Sequence, residues 1–257
     1  MTDTAHADHT RHADHIRHAD HTRHADHTRH ADHAEAAESR TAAEEWDDLY
    51  RENERKWSGS PNPALVREFP EPGPGTALDL GCGEGADAIW LARGGRRVTA
   101  VDVSRVALER GAAHAEEEGV ADRIDWQWHD LAETFPEGTW DLVSSHFLHS
   151  WTELPRERIL RRAVAAVAPG GTLLIVGHVE APGGGRHGDH GEEGDAGNHG
   201  PHATELPTSR QVLESLDLPE GEWEVRRCEE EERTRTMPDG RVVEYTDTTL
   251  RLRRLPA

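Results

Sequence analysis

A glycine-rich segment that directly follows a short apolar run constrains the fold of this chain more than any other feature. Residues 76–80 predict a buried strand, and the chain continues as Gly81-Cys-Gly-Glu-Gly85. Glycines at this spacing let the backbone turn sharply from a strand into a helix and approach a ligand closely. The segment therefore predicts a nucleotide-binding βαβ unit. Its spacing also satisfies the dinucleotide fingerprint, so the loop alone does not identify the nucleotide.

The sequence around this loop alternates between strand-like and helix-like segments. Predicted strands cover residues 76–80, 97–102, 124–128, 140–145 and 172–179. Predicted helices cover residues 86–93, 104–118, 156–167 and 208–216. Pro169-Gly-Gly171 closes the helix predicted over 156–167. Such alternation predicts an α/β fold with a mostly parallel sheet. Residues 223–228 and 242–252 predict a closing antiparallel pair, joined by a turn at Pro238-Asp-Gly240.

Two segments of the 257-residue chain offer almost nothing to bury. Residues 1–34 repeat the unit His-Ala-Asp-His-Thr-Arg and predict a disordered tail, and residues 183–205 predict a His- and Gly-rich insertion. The remainder, residues 35–257, predicts one domain that begins with an amphipathic helix over residues 35–57.

Composition excludes several classes of partner and location. The 29 basic and 50 acidic residues give a formal net charge of −21, which argues against nucleic acid as a partner. The sequence has no apolar run of 18 residues and no secretory signal, so neither a membrane span nor export is expected. The two cysteines, Cys82 and Cys228, suggest neither a zinc cluster nor a disulfide framework, and we expect a cytoplasmic protein.

Polar side chains stand at the carboxyl ends of the predicted strands, where ligands bind in sheets of this kind. Asp102 follows the second strand and can accept the two hydroxyl hydrogens of a ribose. Asp130 follows the third strand and can accept from an adenine amino group. Asp79 lies just before the glycine loop, where it suits an amino-acid moiety but would repel a pyrophosphate. The three acids therefore favour a nucleotide other than a dinucleotide.

Four segments resemble the successive motifs of class I S-adenosylmethionine-dependent methyltransferases, in that family's order and spacing. They are Leu78-Asp-Leu-Gly-Cys-Gly-Glu-Gly85, Val101-Asp-Val-Ser104, Trp140-Asp-Leu-Val143 and Pro169-Gly-Gly-Thr-Leu-Leu-Ile175. The upstream segments Trp46-Asp-Asp-Leu-Tyr50 and Trp57-Ser-Gly-Ser-Pro-Asn-Pro63 are similar to the small bacterial tellurite-resistance and thiopurine methyltransferase-like branch.

The resemblance implies a Rossmann-like sheet of seven strands that ends in an antiparallel hairpin. It also implies S-adenosylmethionine as the cofactor. The residues expected to contact it are Trp57, Asp79, Gly81, Cys82, Gly83, Gly85, Asp102, Val103, Asp130, Leu131 and Ser145. The activity expected is methyl transfer to a small-molecule acceptor.

Three histidines are candidates for a catalytic base, which is needed only if the acceptor carries a proton with a high pKa. His146 and His149 follow the fourth strand, and His178 ends the fifth. Alternatively, these side chains cap or pack neighbouring elements. Likewise, Tyr50 and Trp57 either fold over the cofactor or pack the N-terminal helix onto the sheet.

The histidine-rich segments predict a capacity to bind metal. Ten histidines recur at every third position from His6 to His33, and the insertion holds two H-x-x-H pairs. The four candidate ligands are His187, His190, His199 and His202. Imidazoles at such spacing suit Ni²⁺ or Zn²⁺. The alternatives are an expanded repeat without function in the tail and a flexible active-site loop in the insertion.

Two other functions stay open on the sequence alone. One is an NAD-dependent oxidoreductase of similar fold, because the glycine loop also fits that class. The other is a metal-sequestering or metal-responsive protein built on a methyltransferase scaffold.

Overall fold

A computed structural model describes residues 40–52, 59–150, 154–179, 206–236 and 242–256. Several predictions fall outside these ranges. They concern the tail 1–34, the insertion 183–205 with its four candidate metal ligands, Trp57, and the turn at 238–240.

The described chain contains six α-helices and seven strands. The helices are α1 (Ala42–Glu52), α2 (Pro63–Glu68), α3 (Ala86–Arg93), α4 (Arg105–Glu117), α5 (Arg156–Ala165) and α6 (Ser209–Ser215). The strands are β1 (Gly75–Leu80), β2 (Arg96–Asp102), β3 (Ile124–Trp128), β4 (Trp140–His146), β5 (Val167–Val179), β6 (Trp223–Thr236) and β7 (Val242–Arg254). A short 3-10 helix, Ala121–Arg123, precedes β3.

All seven strands form one sheet in the order β3-β2-β1-β4-β5-β7-β6. Strands β1 to β5 run parallel, and β7 pairs antiparallel with both β5 and β6. The predicted Rossmann-like class I methyltransferase fold, with its C-terminal antiparallel hairpin, is therefore confirmed. Because the order reverses between β1 and β4, a crevice for ligands opens at the carboxyl ends of these two strands.

The two faces of the sheet bury separate apolar clusters, because successive side chains of a strand point to opposite sides. One cluster joins Leu78, Val143 and Ile175 to Ile159 and Leu160 of α5. The other joins Ala77, Leu142 and Leu174 to Ala88 and Leu91 of α3. Consequently Asp79, Ser144 and His146, which share a face with the second cluster, lie on the side of the sheet that α3 covers.

The start of β5 corrects one prediction. The helix predicted over 156–167 ends at Ala165, and Pro169-Gly-Gly171, expected to close that helix, lies within β5 instead. The pairing with β4 begins at Trp140↔Val167 and resumes at Leu142↔Thr172, so residues 168–171 form an irregularity in the ladder. A Cβ on Gly171 would lie 2.8 Å from the carbonyl oxygen of Ala168. The glycines therefore permit a bulge rather than cap a helix.

Two further elements differ from prediction. The C-terminal strands extend beyond the predicted 223–228 and 242–252, since β6 runs to Thr236 and β7 to Arg254. Helix α2, for which the sequence analysis predicts no element, begins with Pro63 after the cap Asn62, whose side chain accepts from the amide of Ala64 at 2.9 Å. Within the described ranges, no helix is long and apolar enough to cross a membrane.

Candidate functional site

The glycine loop between β1 and α3 is held by β2. The amides of Gly81 and Cys82 both donate to the carbonyl oxygen of Val101, at 2.9 and 3.0 Å. The amide of Gly83 donates to the carboxylate of Asp102 at 2.8 Å. Gly81 and Gly83 have φ angles of 73° and 53°, which favour glycine. The loop is thus preorganised at the carboxyl ends of two neighbouring strands.

Gly85 has a structural reason to be glycine. It caps the amino end of α3 in the left-handed region, with φ of 83°. A Cβ at this position would overlap the ring of Trp126, which reaches across from β3. The assignment of Gly85 to the cofactor stays a prediction, and the structure adds that a side chain at this position would meet Trp126 of β3.

Asp102 shapes the loop from the end of β2. Its carboxylate is buried and accepts from the amide of Ser104 at 2.9 Å as well as from Gly83. Burial raises the pKa of Asp102, although these amide hydrogen bonds oppose the rise. Asp47 of α1 stands beside it and accepts from the hydroxyl of Ser104 at 2.6 Å. Helix α1 therefore contacts the same corner of the site.

A cluster of two acids and one histidine lies beneath the loop. Asp79 is only 2% exposed and accepts from the hydroxyl of Ser144 at 3.2 Å. Its Oδ2 is buried without a hydrogen-bond partner in the part of the chain that the structure describes. Asp87, in the first turn of α3, accepts from the amide of Asn62 and lies 2.7 Å from Nδ1 of His146. One ligand atom from each of Asp79, Asp87 and His146 lies within 4.8 Å of the others, so the trio could hold a cation.

The electrostatics of this cluster follow from burial and from the proximity of like charges. Burial and the neighbouring Asp87 carboxylate raise the pKa of Asp79 to about 7. Burial alone would lower the pKa of His146, but the carboxylate of Asp87 raises it. Sequence reasoning missed Asp87. The available signal was an acid two residues after the glycine loop, on the first turn of a helix.

The other predicted cofactor residues are distributed around the same edge. The carbonyl oxygen of Val103 accepts from Nε1 of Trp128 at 2.6 Å. Asp130 is half-buried, and its side chain accepts from the amide of Ala132 at 3.0 Å. Leu131 and Ser145 are buried, Leu131 within an apolar cluster and Ser145 within β4. Burial raises the pKa of the Cys82 thiol, and its side chain packs against the apolar cluster under α3.

The candidate bases His149 and His178 lie together beside the end of β5. Nδ1 of His178 is 2.7 Å from a carboxylate oxygen of Asp247, its register partner on β7. The His178 ring stacks on Phe147, with ring centroids 4.2 Å apart, and lies nearly parallel to His149 at 6.1 Å. Phe147 itself has a φ of 50°, which is unusual for a large residue. Sequence reasoning missed Asp247, because only strand pairing brings it to His178.

Comparison with known proteins agrees with this geometry. Residues 77–171 match a family model described as "Methyltransferase domain". Residues 77–171 thus resemble a methyltransferase domain, within a chain that has the class I methyltransferase fold. This domain is similar to a probable chloroplastic tocopherol O-methyltransferase of Oryza sativa subsp. japonica, at 36% identity over 44% of this chain and 32% of that protein. It is also similar to a ribosomal protein L11 methyltransferase of Pelotomaculum thermopropionicum, at 35% identity over 47% of this chain and 37% of that protein. The chain thus spans about a third of the length of these curated relatives.

Solved structures share the fold over a larger part of this chain. A structure titled "Conversion of a Disulfide Bond into a Thioacetal Group during Echinomycin Biosynthesis" matches with a TM-score of 0.58 and 23% identity, over 83% of this chain and 93% of that one. TehB from Haemophilus influenzae matches with a TM-score of 0.55 and 18% identity, over 82% of this chain and 67% of that one. At these identities the likeness extends to the fold alone.

Proposed function

We propose that this chain transfers a methyl group from S-adenosylmethionine to a small-molecule acceptor. The observation that carries the proposal is the buried Asp79 carboxyl beneath the glycine loop, whose Oδ2 has no hydrogen-bond partner among the described residues. A carboxylate there attracts the ammonium group of an amino-acid moiety and repels the pyrophosphate of NAD. The glycine loop fits both nucleotides, so Asp79 decides between them.

In this proposal, different residues of the chain contact different parts of the cofactor. Asp79 holds the ammonium group and Asp102 the ribose hydroxyls. Asp130, Val103 and Leu131 border the adenine, and Ser145 lies beside the methionine portion. When bound, S-adenosylmethionine supplies an electrophilic methyl group on a sulfonium whose leaving group is a neutral thioether. The chain therefore needs no general acid, and alignment of the acceptor alone can contribute up to about 7–11 kcal/mol.

A small acceptor is favoured over nucleic acid by charge. The formal net charge of −21 opposes the phosphate binding that a nucleic-acid substrate requires. The similarity to a tocopherol O-methyltransferase supports a small acceptor, although another relative's name concerns a ribosomal protein. Membership of the small bacterial tellurite-resistance and thiopurine methyltransferase-like branch is part of this proposal, as is a reducing, cytoplasmic compartment for the free Cys82 and Cys228.

Calorimetry with S-adenosylhomocysteine and with NAD tests the cofactor. We expect S-adenosylhomocysteine to bind, and Asp102→Ala to weaken its binding by about 1–3 kcal/mol, the usual cost of losing a charged hydrogen-bond partner. Because Asp102 also anchors Gly83, Asp102→Asn serves as a milder variant. Asp122→Ala, at an exposed carboxylate of the 3-10 helix, is the matched control. Tight NAD binding without S-adenosylhomocysteine binding would instead establish an oxidoreductase.

The ten histidines of the tail motivate a second candidate, a metal-sequestering or metal-responsive protein on this scaffold. The same experiments extend to Ni²⁺ and Zn²⁺, with His187, His190, His199 and His202 as further proposed ligands. If metal handling is the function, deletion of residues 1–34 abolishes the cellular phenotype and Asp102→Ala leaves it intact. The opposite pattern favours the enzyme, whose turnover should also be compared with and without these metals.

A further inference from the structure

The geometry at the end of β5 points to an acceptor site in which His178 is the catalytic base and Asp247 positions it. The acceptor is accordingly a hydroxyl compound, whose oxygen must lose a proton before or during methyl transfer. This inference rests on the proposed methyltransferase function and adds the chemical class of its substrate.

Strand register places the pair at the carboxyl edge of the sheet. Strand β4 ends at His146, which pairs with Val176 of β5, and His178 extends two residues beyond that pair. His178 therefore shares the face of Val176 and His146, which is the face that carries Asp79. The dyad and Asp79 thus lie at one edge on one side of the sheet.

The contacts of His178 fix both its tautomer and its ring plane. The carboxylate of Asp247, 2.7 Å from Nδ1, accepts a hydrogen from that nitrogen, which puts the basic lone pair on Nε2. Phe147 stacks on the ring at 4.2 Å, and His149 lies nearly parallel to it at 6.1 Å. A carboxylate that orients an imidazole in this way also stabilises the imidazolium that forms when the base takes up a proton.

His146 is less suited to the same role. Its Nδ1 faces Asp87 at 2.7 Å, the residue is 9% exposed, and Asp79 lies beside it. The carboxylate of Asp87 raises the pKa of His146, so this imidazole favours its protonated form. His146 therefore belongs with the cofactor pocket, whereas half-buried His178 is more accessible to an acceptor.

The proposed step balances without any other reactant. The acceptor O–H proton moves to Nε2 of His178 while the acceptor oxygen forms a bond to the methyl carbon. The bond between that carbon and sulfur breaks, and sulfur keeps the electron pair as a neutral thioether. A thiolate or a metalloid oxyanion would need no such base, so the dyad favours a hydroxyl acceptor.

Other charged groups face this pair and bear on its pH dependence. His149 lies against the His178 ring, and Glu231 of β6 is the register partner of Asp247. Arg67 of α2 binds Glu231 at 2.6 Å. The guanidinium of Arg156 approaches β5 from the other face, 3.5 Å from where a Cβ of Gly177 would lie.

The experiment combines NMR of the full chain with rates for phenol and thiophenol as paired probes. Nitrogen-15 spectra should show His178 with its hydrogen on Nδ1, and Asp247→Asn should change that tautomer population. For phenol, His178→Asn should reduce turnover about 10²–10⁴-fold at neutral pH. The remaining rate should rise about tenfold per pH unit, because only ionised phenol then reacts. For thiophenol, which ionises readily, the loss should stay below tenfold.

Two controls keep the outcomes apart. S-adenosylhomocysteine affinity should be unchanged in His178→Asn and Asp247→Asn, since neither side chain belongs to the proposed cofactor contacts, and a cooperative melting transition checks that each variant is folded. If wild type fails to bind S-adenosylhomocysteine, the proposed function itself is wrong. If wild type binds it, two results would overturn the assignment of the base. One is a His178 ring that carries its hydrogen on Nε2, and the other is an equal loss of turnover for phenol and thiophenol in His178→Asn.

Discussion

At the scale of single residues, we expect Asp79 to make cofactor binding depend on pH. Burial and Asp87 raise its pKa to about 7, so below that pH it is mostly neutral and attracts an ammonium group weakly. We expect the affinity for S-adenosylhomocysteine to fall about tenfold from pH 8 to pH 6, because the ionised fraction of the Asp79 carboxyl falls about tenfold over that range. Calorimetry at several pH values measures this.

Two variants separate the effect of Asp79 from the effects of its neighbours Asp87 and His146. Asp79→Asn should bind weakly at every pH and lose the dependence. Ser144→Ala removes a hydrogen bond that lowers the pKa of Asp79, so the midpoint should move to higher pH. A carboxyl whose pKa is raised in the folded state destabilises the fold as pH rises. Without ligand, Asp79→Asn should therefore melt at a higher temperature than wild type at pH 8. A pH-independent affinity in wild type would exclude Asp79 as the ammonium partner.

Gly85 offers a second test at this scale. Alanine there would meet the Trp126 ring and keep a φ of 83°, so we expect Gly85→Ala to lower the free energy of unfolding by about 2–4 kcal/mol. Urea denaturation measures the loss. Adding Trp126→Leu should recover the steric part and leave the backbone part. Losses that simply add in the double variant would mean that the two residues do not interact.

At the scale of elements, the sequence predicts best what is decided by local pattern. Strands β1 to β4 begin and end within about a residue of their predicted bounds. For the central strands β1 and β4 the reason is that a strand buried on both faces is a largely apolar run between turns. The extension of β6 past Cys228 contains Glu229 to Glu232, which pair with β7. This charged run has no apolar pattern from which a strand could be predicted. The glycine loop and the strand-end acids are predictable because they too are local patterns in the sequence. Asp87 and Asp247 gain their roles through contacts 59 and 69 residues away in sequence, which no local pattern contains.

The contact between α1 and α4 is testable through two adjacent acids. Asp47 accepts from the hydroxyl of Ser104 and from the amide of Val106, so it adds to the cap of α4. Asp47→Ala should lower the free energy of unfolding by about 0.5–2 kcal/mol, as for other capping residues. Asp48→Ala is the matched control, because its exposed ion pairs with Arg40 and Arg51 contribute less than about 1 kcal/mol. Equal effects in thermal melts would mean that α1 docks without this cap.

At the scale of the whole molecule, Glu68 ties the start of the domain to its C-terminal hairpin. Its side chain is 6% exposed, lies 2.6 Å from Arg227 of β6 and 3.1 Å from Arg251 of β7, and also contacts Arg67. Burial would raise the pKa of Glu68, but hydrogen bonds from Arg67 and Arg251 lower it overall. This ion cluster thus connects α2 with the two strands that close the sheet beside β5.

Loss of this cluster should affect the whole domain, because the hairpin carries Asp247 and pairs with β5. Glu68→Gln leaves two partly buried arginines without their shared carboxylate, and we expect a loss of about 1–3 kcal/mol in the free energy of unfolding at pH 7. A carboxyl with a lowered folded pKa stabilises above its unfolded value and loses that contribution as pH falls through the folded value. The difference in the free energy of unfolding between wild type and Glu68→Gln should therefore become smaller below pH 4.5. Glu71→Gln, at an exposed position, should have the same free energy of unfolding as wild type at every pH. A gap that stays constant in urea titrations down to pH 3 would show that Glu68 acts through its shape and not its charge.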